Sequence, residues 1–150
     1  MALVEWNDTF NLGIDELDAD HRRLADFVNR AHELVIEDKD QDDLKALMDE
    51  LIAHLEQHFH REEKVIAQAQ SDGAKEPHLQ SHETTINYFI GLRDQIQNGA
   101  ESIDPKDLVE YLHQWLLNHV INQDFKMKPD LIKAGLVKGE GQNDRLIARM

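Results

Sequence analysis

Four stretches of this chain place apolar residues three and four positions apart, the spacing that lines one face of an α-helix. This periodicity predicts helices over residues 17–37, 41–69, 77–98 and 105–123. Most of the seven Gly and three Pro residues lie outside those stretches or at their first positions. Four amphipathic helices with short connections bury their apolar faces best against one another. We therefore predict an all-α fold, an antiparallel up-and-down four-helix bundle with an N-terminal arm and a short C-terminal helix or tail.

The chain has 150 residues, enough for one domain with its own core and too few for two. We predict a single domain over residues 1–150. It consists of an N-terminal arm (1–16), the bundle (17–124) and a C-terminal tail (125–150), with one short helix in the tail (130–135). Pro77 and Pro105 are expected in the first turns of the third and fourth helices, where proline is tolerated. Asn98-Gly99 is expected to end the third helix.

Composition excludes several classes of function. The net charge is −14, with 30 acidic and 16 basic residues, which argues against binding to nucleic acid or to anionic membranes. The chain has no Cys, so disulfides, thiolate metal sites and thiol nucleophiles are excluded. No secretory signal is apparent, and no apolar run reaches the ~18 residues that span a bilayer. The sequence therefore predicts a cytoplasmic protein without membrane insertion.

Polar residues that could bind a metal occupy slots of the apolar stripes. They form the clusters Asp20-His21, His58 with Glu62, His78 with His82, and His119 with Asp124. Imidazoles and carboxylates are costly to bury without partners, and a shared metal centre would neutralise them together. Five imidazoles and two carboxylates suit two first-row ions such as iron. The candidate metal ligands are His21, His58, Glu62, His78, His82, His119 and Asp124.

The spacing within the clusters makes a structural demand. Residues four apart on a helix differ by ~40° in azimuth, so His58 with Glu62, and His78 with His82, share a face. His119 and Asp124 are five apart, which separates them by ~140° on a regular helix. If both are ligands, the fourth helix must widen into a π-type turn or end near Asp124.

Each cluster alone has an ordinary explanation. A single buried His is often a core imidazole bonded to a carbonyl group, and a single pair four apart is common on solvated helix faces. Four such features on four stripes favour the metal centre. The other histidines are expected to be surface or packing residues; they are His32, His54, His60 and His113. Glu63 is expected to be solvated, and a contact that supports a neighbouring ligand is the less favoured alternative.

These residues, in this order, resemble the hemerythrin family, in its single-domain bacterial branch. The resemblance runs from Val4 to about Met127. It rests mainly on His58-Phe59-x-x-Glu62-Glu63, on His78-x-x-x-His82, and on Trp115-Leu116-x-x-His119-Val-x-x-x-Asp124. The opening Val4-Glu-Trp6, the segment Leu12-Gly-Ile-Asp15 and the pair Asp20-His21 support it.

The resemblance implies a non-haem di-iron site. His78, His82 and His119 would hold one iron; His21 and His58 would hold the other, which keeps a vacant position. Glu62 and Asp124 would bridge the two ions, together with an oxo or hydroxo group. Trp115 and Leu116 would line the pocket for O₂.

The function that the resemblance implies is reversible O₂ binding, for storage, delivery or sensing, and not an enzymatic activity. The alternatives are a di-iron enzyme acting on peroxide or nitric oxide, and a regulatory module that responds to iron or oxygen. Residues 126–150 carry six basic and three acidic side chains, so contact with an unknown protein partner stays open, although a solvated tail is favoured. A monomer is the favoured oligomeric state.

Overall fold

The computed structural model describes residues 3–38, 41–69, 72–96 and 103–137, with the side chains of 72–74 left aside. Over these residues the chain is helical and contains no strand, as predicted. The main helices are α1 (Asp15–Ile36), α2 (Gln41–Ala69), α3 (Asp72–Gln95), α4 (Pro105–Leu117) and the short α5 (Lys128–Lys133). A π-helical segment (Asn118–Asp124) and a 3-10 turn (Phe125–Met127) connect α4 to α5, and a second 3-10 turn lies in the arm (Asp8–Phe10).

The first four helices form the predicted bundle. α1 packs against α2 and α4, and α2 packs against α3. Among the described residues, no helix is long and apolar enough to cross a membrane.

The N-terminal arm is tied to α1 at two points. The side chain of Asn29 accepts from the Val4 N–H (2.7 Å) and donates to the Val4 carbonyl (2.9 Å). The buried carboxylate of Asp18 accepts from the N–H groups of Leu12 (2.6 Å) and Gly13 (3.1 Å). Between these points the indole of Trp6 lies 6.0 Å from the His21 ring. The arm therefore covers the His21 side of the bundle.

The start of α3 differs from its prediction by five residues, and the starts of α1 and α5 differ by two. α3 begins at Asp72, so Pro77 lies inside the helix and its expected place in the first turn is wrong. Proline removes one backbone donor, and α3 tolerates this loss close to its N-terminus, although sequence patterns treat proline as a boundary. α5 begins at Lys128 with Pro129 in its first turn, instead of at 130. The expected stop at Asn98-Gly99 lies outside the described residues.

A polar layer divides the core into two apolar clusters. The larger cluster fills the bundle and includes Leu55 and Phe59 of α2. The smaller one joins the arm to the far end of α2 and to α5, through Leu12, Leu17, Ile66, Met127 and Leu131. His58 and Glu62 lie between the two clusters along α2, and both are 0% exposed. The packing therefore places these polar side chains in the dry interior.

Candidate metal centre

The seven side chains singled out by the sequence meet in this polar layer. One comes from α1, two from α2, two from α3 and two from the π-helical segment. Six of them are at most 2% exposed, and the side chain of His78 is 8% exposed. Their ligand atoms form two overlapping groups in which every pair of atoms lies within 4.8 Å. The groups are His21, His58, Glu62, His119, Asp124 and Glu62, His78, His82, Asp124.

The π-helical segment brings His119 and Asp124 together, although they are five residues apart. Segment Asn118–Asp124 replaces the i→i+4 hydrogen bonds of α4 with wider turns, and Phe125 N–H bonds to the Val120 carbonyl. The widened turn places His119 Nε2 2.8 Å from Asp124 Oδ2. The structural demand made by the spacing is therefore confirmed.

The first group surrounds one oxygen of each carboxylate. Asp124 Oδ2 lies 2.7 Å from His21 Nε2 and 2.8 Å from His119 Nε2. His58 Nε2 lies 3.0 Å from Glu62 Oε2 and 3.2 Å from His119 Nε2. These three imidazoles thus direct Nε2 at a common point.

The second group uses the opposite carboxylate oxygens. Glu62 Oε1 lies 3.0 Å from His78 Nε2 and 2.8 Å from His82 Nε2. Asp124 Oδ1 lies 3.5 Å from His78 Nε2. Each carboxylate therefore turns one oxygen to each histidine group, which is the geometry that two bridged ions require.

Two buried carboxylate oxygens of the centre lack a hydrogen-bond donor, which a bound cation would compensate. Glu62 Oε2 and Asp124 Oδ1 are buried without a hydrogen bond of acceptable geometry, even though His58 Nε2 approaches Glu62 Oε2. A buried carboxylate oxygen without a donor is costly, and a bound cation would satisfy it. Nitrogen and carboxylate oxygen are the donors that iron, manganese and zinc share.

The electrostatics keep both carboxylates ionised. Burial and the neighbouring Asp124 would raise the pKa of Glu62, but hydrogen bonds from the surrounding histidines outweigh both and lower it to about 2. Burial would also raise the pKa of Asp124, and contacts with His119, His21 and His58 instead hold it well below its usual value. Two fixed negative charges thus face five imidazoles in a dry site.

Three residues outside the candidate set orient the candidate ligands, and the sequence analysis missed the roles of Asp20 and Arg61. Asp20 accepts from His58 Nδ1 (3.0 Å) and from Arg61 Nε (2.8 Å) and Nη2 (2.5 Å). Glu63 accepts from His82 Nδ1 (3.1 Å), which is the less favoured of the two roles expected for it. A bond at Nδ1 leaves the Nε2 lone pair free for a metal. The one available signal was the position of these side chains beside the ligands.

Two aromatic rings fix the orientation of ligand imidazoles. Phe59 stacks on His82 with 4.0 Å between ring centroids and 5° between planes. Trp115 stacks on His119 at 5.0 Å and 8°. Leu116 points elsewhere: it lines a cavity of ≈ 130 Å³ against the arm, beside Trp6. The O₂ pocket that the resemblance implies for Trp115 and Leu116 stays a prediction.

The remaining histidines lie outside the centre. His60 is exposed, and His32 and His113 are half-buried. His54 is 8% exposed, with Nε2 3.2 Å from the carbonyl oxygen of Asp20, so it is a core imidazole bonded to the backbone.

The position of His119 differs from the division that the resemblance implies. Its ring centroid lies 5.4 Å from that of His58 and 6.2 Å from that of His82. The π-helical segment presents Nε2 toward Asp124 Oδ2, the oxygen that also faces His21. In this structure His119 is grouped with His21 and His58 instead of with His78 and His82.

Comparison with known proteins places most of the chain within one family. The family model for the Hemerythrin HHE cation binding domain matches residues 12–131. A bacteriohemerythrin of Stenotrophomonas maltophilia is 30% identical over 136 residues, covering 91% of this chain and 86% of the relative. A bacteriohemerythrin of Pseudomonas aeruginosa is 29% identical over 124 residues, covering 83% and 78%. A myohemerythrin of Riftia pachyptila is 29% identical over 126 residues, covering 84% and 92%.

Proposed function

The chain belongs to the hemerythrin family, and on this basis we propose that it is a non-haem di-iron protein that binds O₂ reversibly. One observation carries the proposal. Glu62 and Asp124 are fully buried between two histidine groups, and each carboxylate turns one oxygen to each group. Two fixed carboxylates in this arrangement suit two adjacent cations.

The proposed ligands are the seven residues of the centre. Glu62 and Asp124 would bridge the two ions, and the other five ligands would be His21, His58, His78, His82 and His119. Whichever ion His119 joins, the five imidazoles divide into three and two. One ion would therefore have one imidazole fewer and would keep a position for O₂. Bound iron would supply the reversible electron transfer to O₂.

The surrounding side chains favour binding over turnover. Phe59, which contacts His82 and His119, and Val120, which follows His119, are at most 3% exposed and would limit the access of bulk water to the centre. Exclusion of water limits proton entry and loss of reduced oxygen. Asp20 and Glu63 are already bonded to ligand imidazoles, so they hold those rings in place instead of offering a free acid or base.

The test combines metal analysis with a spectral titration. Reduced, iron-loaded protein should hold two iron ions per chain, gain a visible charge-transfer band on aeration and lose it on deoxygenation. Asp124→Ala should abolish the two-iron stoichiometry. A reduced protein whose spectrum does not respond reversibly to O₂ would overturn the proposal. Steady consumption of peroxide or nitric oxide would instead assign an enzymatic function, and bound manganese or zinc would change the metal.

Two further points stay predictions from the sequence: a cytoplasmic location and a monomeric state. The expectation of a solvated tail is wrong for its described part, because Met127 and Leu131 are 0% exposed and pack in the smaller apolar cluster. Residues 138–150 lie outside the described residues, and for them a solvated tail stays a prediction. Truncation after Val137 should leave O₂ binding and partner capture unchanged if this remaining part is only solvated.

A further inference from the structure

A row of aromatic side chains leads from His119 to the surface between α3 and α4. It begins with Trp115, stacked on the His119 imidazole at 5.0 Å. Phe89, which is 0% exposed, lies 4.9 Å from the Trp115 ring and 6.0 Å from the Tyr111 ring. Tyr111 lies 4.9 Å from Tyr88, which is 50% exposed. The row therefore connects the centre to solvent through rings in close contact.

The readily oxidised side chains of this protein are concentrated in the row. The chain has two Trp, two Tyr and no Cys. Both tyrosines belong to the row, and so does Trp115; the other indole, Trp6, lies on the arm side of His21. After thiols, indoles and phenols are the side chains that lose one electron most easily. A single path of such groups thus begins at a candidate ligand and ends at water.

We propose that Trp115, Tyr111 and Tyr88 form a radical-transfer relay, which carries oxidising equivalents from the centre to the surface, where a small thiol or ascorbate-type reductant removes them. The proposal rests on the proposed function only in its source of oxidant, since oxygen chemistry at the centre would produce one. The relay itself is a property of these three side chains.

Each step balances in electrons and protons. Trp115 gives one electron and its Nε1 proton to an oxidant of the hydroxyl- or alkoxyl-radical class, which becomes water or an alcohol. Tyr111 then returns one electron to Trp115 across Phe89; the phenolic proton of Tyr111 passes to water, and water supplies the proton that Trp115 Nε1 regains. Tyr88 restores Tyr111 with one electron, and its own proton passes to water, which returns one to Tyr111. The reductant finally gives one electron and one proton to Tyr88. Transfer from an indolyl radical to a phenol is favourable at neutral pH, which sets the direction.

The surroundings of Tyr111 agree with this sequence of steps. Burial, and to a lesser extent the neighbouring Tyr88, raise the pKa of Tyr111 to about 12. The phenol is therefore protonated at neutral pH and releases its proton only when it is oxidised. Tyr111 is half-buried, so the proton can pass to water.

Pulse radiolysis of the full chain without added iron tests the relay directly. Azidyl radicals oxidise indoles selectively, and Trp6→Phe leaves Trp115 as the only indole. In this background the indolyl absorption should decay as the phenoxyl absorption grows, at one first-order rate that does not depend on protein concentration. Adding Tyr111→Phe, which preserves ring packing, should abolish this phase. Tyr88→Phe should preserve it and leave the radical on Tyr111.

The matched control is Trp115→Phe with Trp6 retained, which should lose the fast conversion. An unchanged rate after Tyr111→Phe, or a rate proportional to protein concentration, would overturn the relay. Peroxide treatment of the iron-loaded protein tests its protective use: Tyr88→Phe with Tyr111→Phe should increase oxidation of Trp115 and His119 in peptide mass spectra. Unchanged damage would overturn that use. Radiolysis needs neither iron nor O₂, so its outcome is independent of O₂ binding.

Discussion

Glu62→Gln tests whether one carboxylate is shared by two ions. Glu62 Oε1 approaches His78 and His82 at 3.0 and 2.8 Å, and Oε2 approaches His58 at 3.0 Å. Glutamine keeps the shape but replaces one oxygen with an amide nitrogen, which carries hydrogens and binds no cation. It also removes the negative charge. If Glu62 bridges two ions, the amide of glutamine can therefore bind only one of them, whichever way it turns.

The expected magnitude follows from the loss of a shared ligand. Loss of a residue that only supports a ligand costs roughly 10–100-fold in metal affinity, so a bridging ligand should cost at least about 100-fold. At a free metal concentration about 100 times the dissociation constant, binding stabilises the native chain by about 2.7 kcal/mol. After a ~100-fold loss of affinity about 0.4 kcal/mol remains. The difference of about 2.3 kcal/mol corresponds to roughly 5–9 °C in Tm for a chain of this length.

The assay is thermal unfolding with and without iron or cobalt, together with metal analysis of the desalted protein. Glu63→Gln is the matched control, because it changes the next residue in the same way and its amide oxygen can still accept from His82 Nδ1. The control should keep two ions and most of the metal-induced rise in Tm. If Glu62→Gln also keeps both, Glu62 does not bridge and the shared-carboxylate geometry has been misread.

Three further predictions concern the core, the support of a ligand and a shifted phenol. Leu55 is fully buried one turn before the centre, so Leu55→Ala should lower the free energy of unfolding by about 2–5 kcal/mol, measured by chemical denaturation. Gln57→Ala, on the exposed face of α2, is the control and should change this free energy by no more than about 0.5 kcal/mol. Asp20→Ala removes the acceptor of His58 Nδ1 and should weaken metal binding about 10–100-fold in a competition titration; unchanged affinity would show that this bond does not support the ligand. Folding raises the pKa of Tyr111 from 10.0 to about 12, so the contribution of Tyr111 to the free energy of unfolding is constant below pH 10 and decreases as the pH rises from 10 to 12. In a pH titration, tyrosinate absorbance should therefore show a second rise near pH 12, which Tyr111→Phe removes.

The sequence predicted the helices well where apolar residues recur regularly three and four positions apart and polar residues fill the opposite face. The range of α2 matches its prediction, and α1 and α4 begin within two residues of theirs. The π-helical segment is one of the two outcomes that the sequence predicted for a pair of candidate ligands five residues apart, the other being a helix that ends near Asp124. The start of α3 could not be predicted in this way. Whether a helix continues through Pro77 depends on the backbone hydrogen bonds around that residue, and the presence of a proline does not decide it.

The candidate site shows the same division. Periodicity alone placed His58, Glu62 and His119 on buried faces, because burial is a property of position within one helix. The sequence could not show that Asp20 holds both His58 and Arg61, or that Glu63 supports His82, because these contacts join residues 19 to 41 positions apart.

By itself, the sequence determined a helical bundle with six of the seven candidate ligands turned inward, since a repeat of three and four residues sets the direction of side chains on a regular helix. Asp124 is turned inward by the π-helical segment. Only the tertiary structure decided which carboxylate oxygen faces which imidazole, that His119 lies beside His58, and that Trp115 begins a row of rings leading to Tyr88. Those arrangements depend on how far neighbouring helices are shifted and rotated against one another, and packing of the whole bundle sets that geometry.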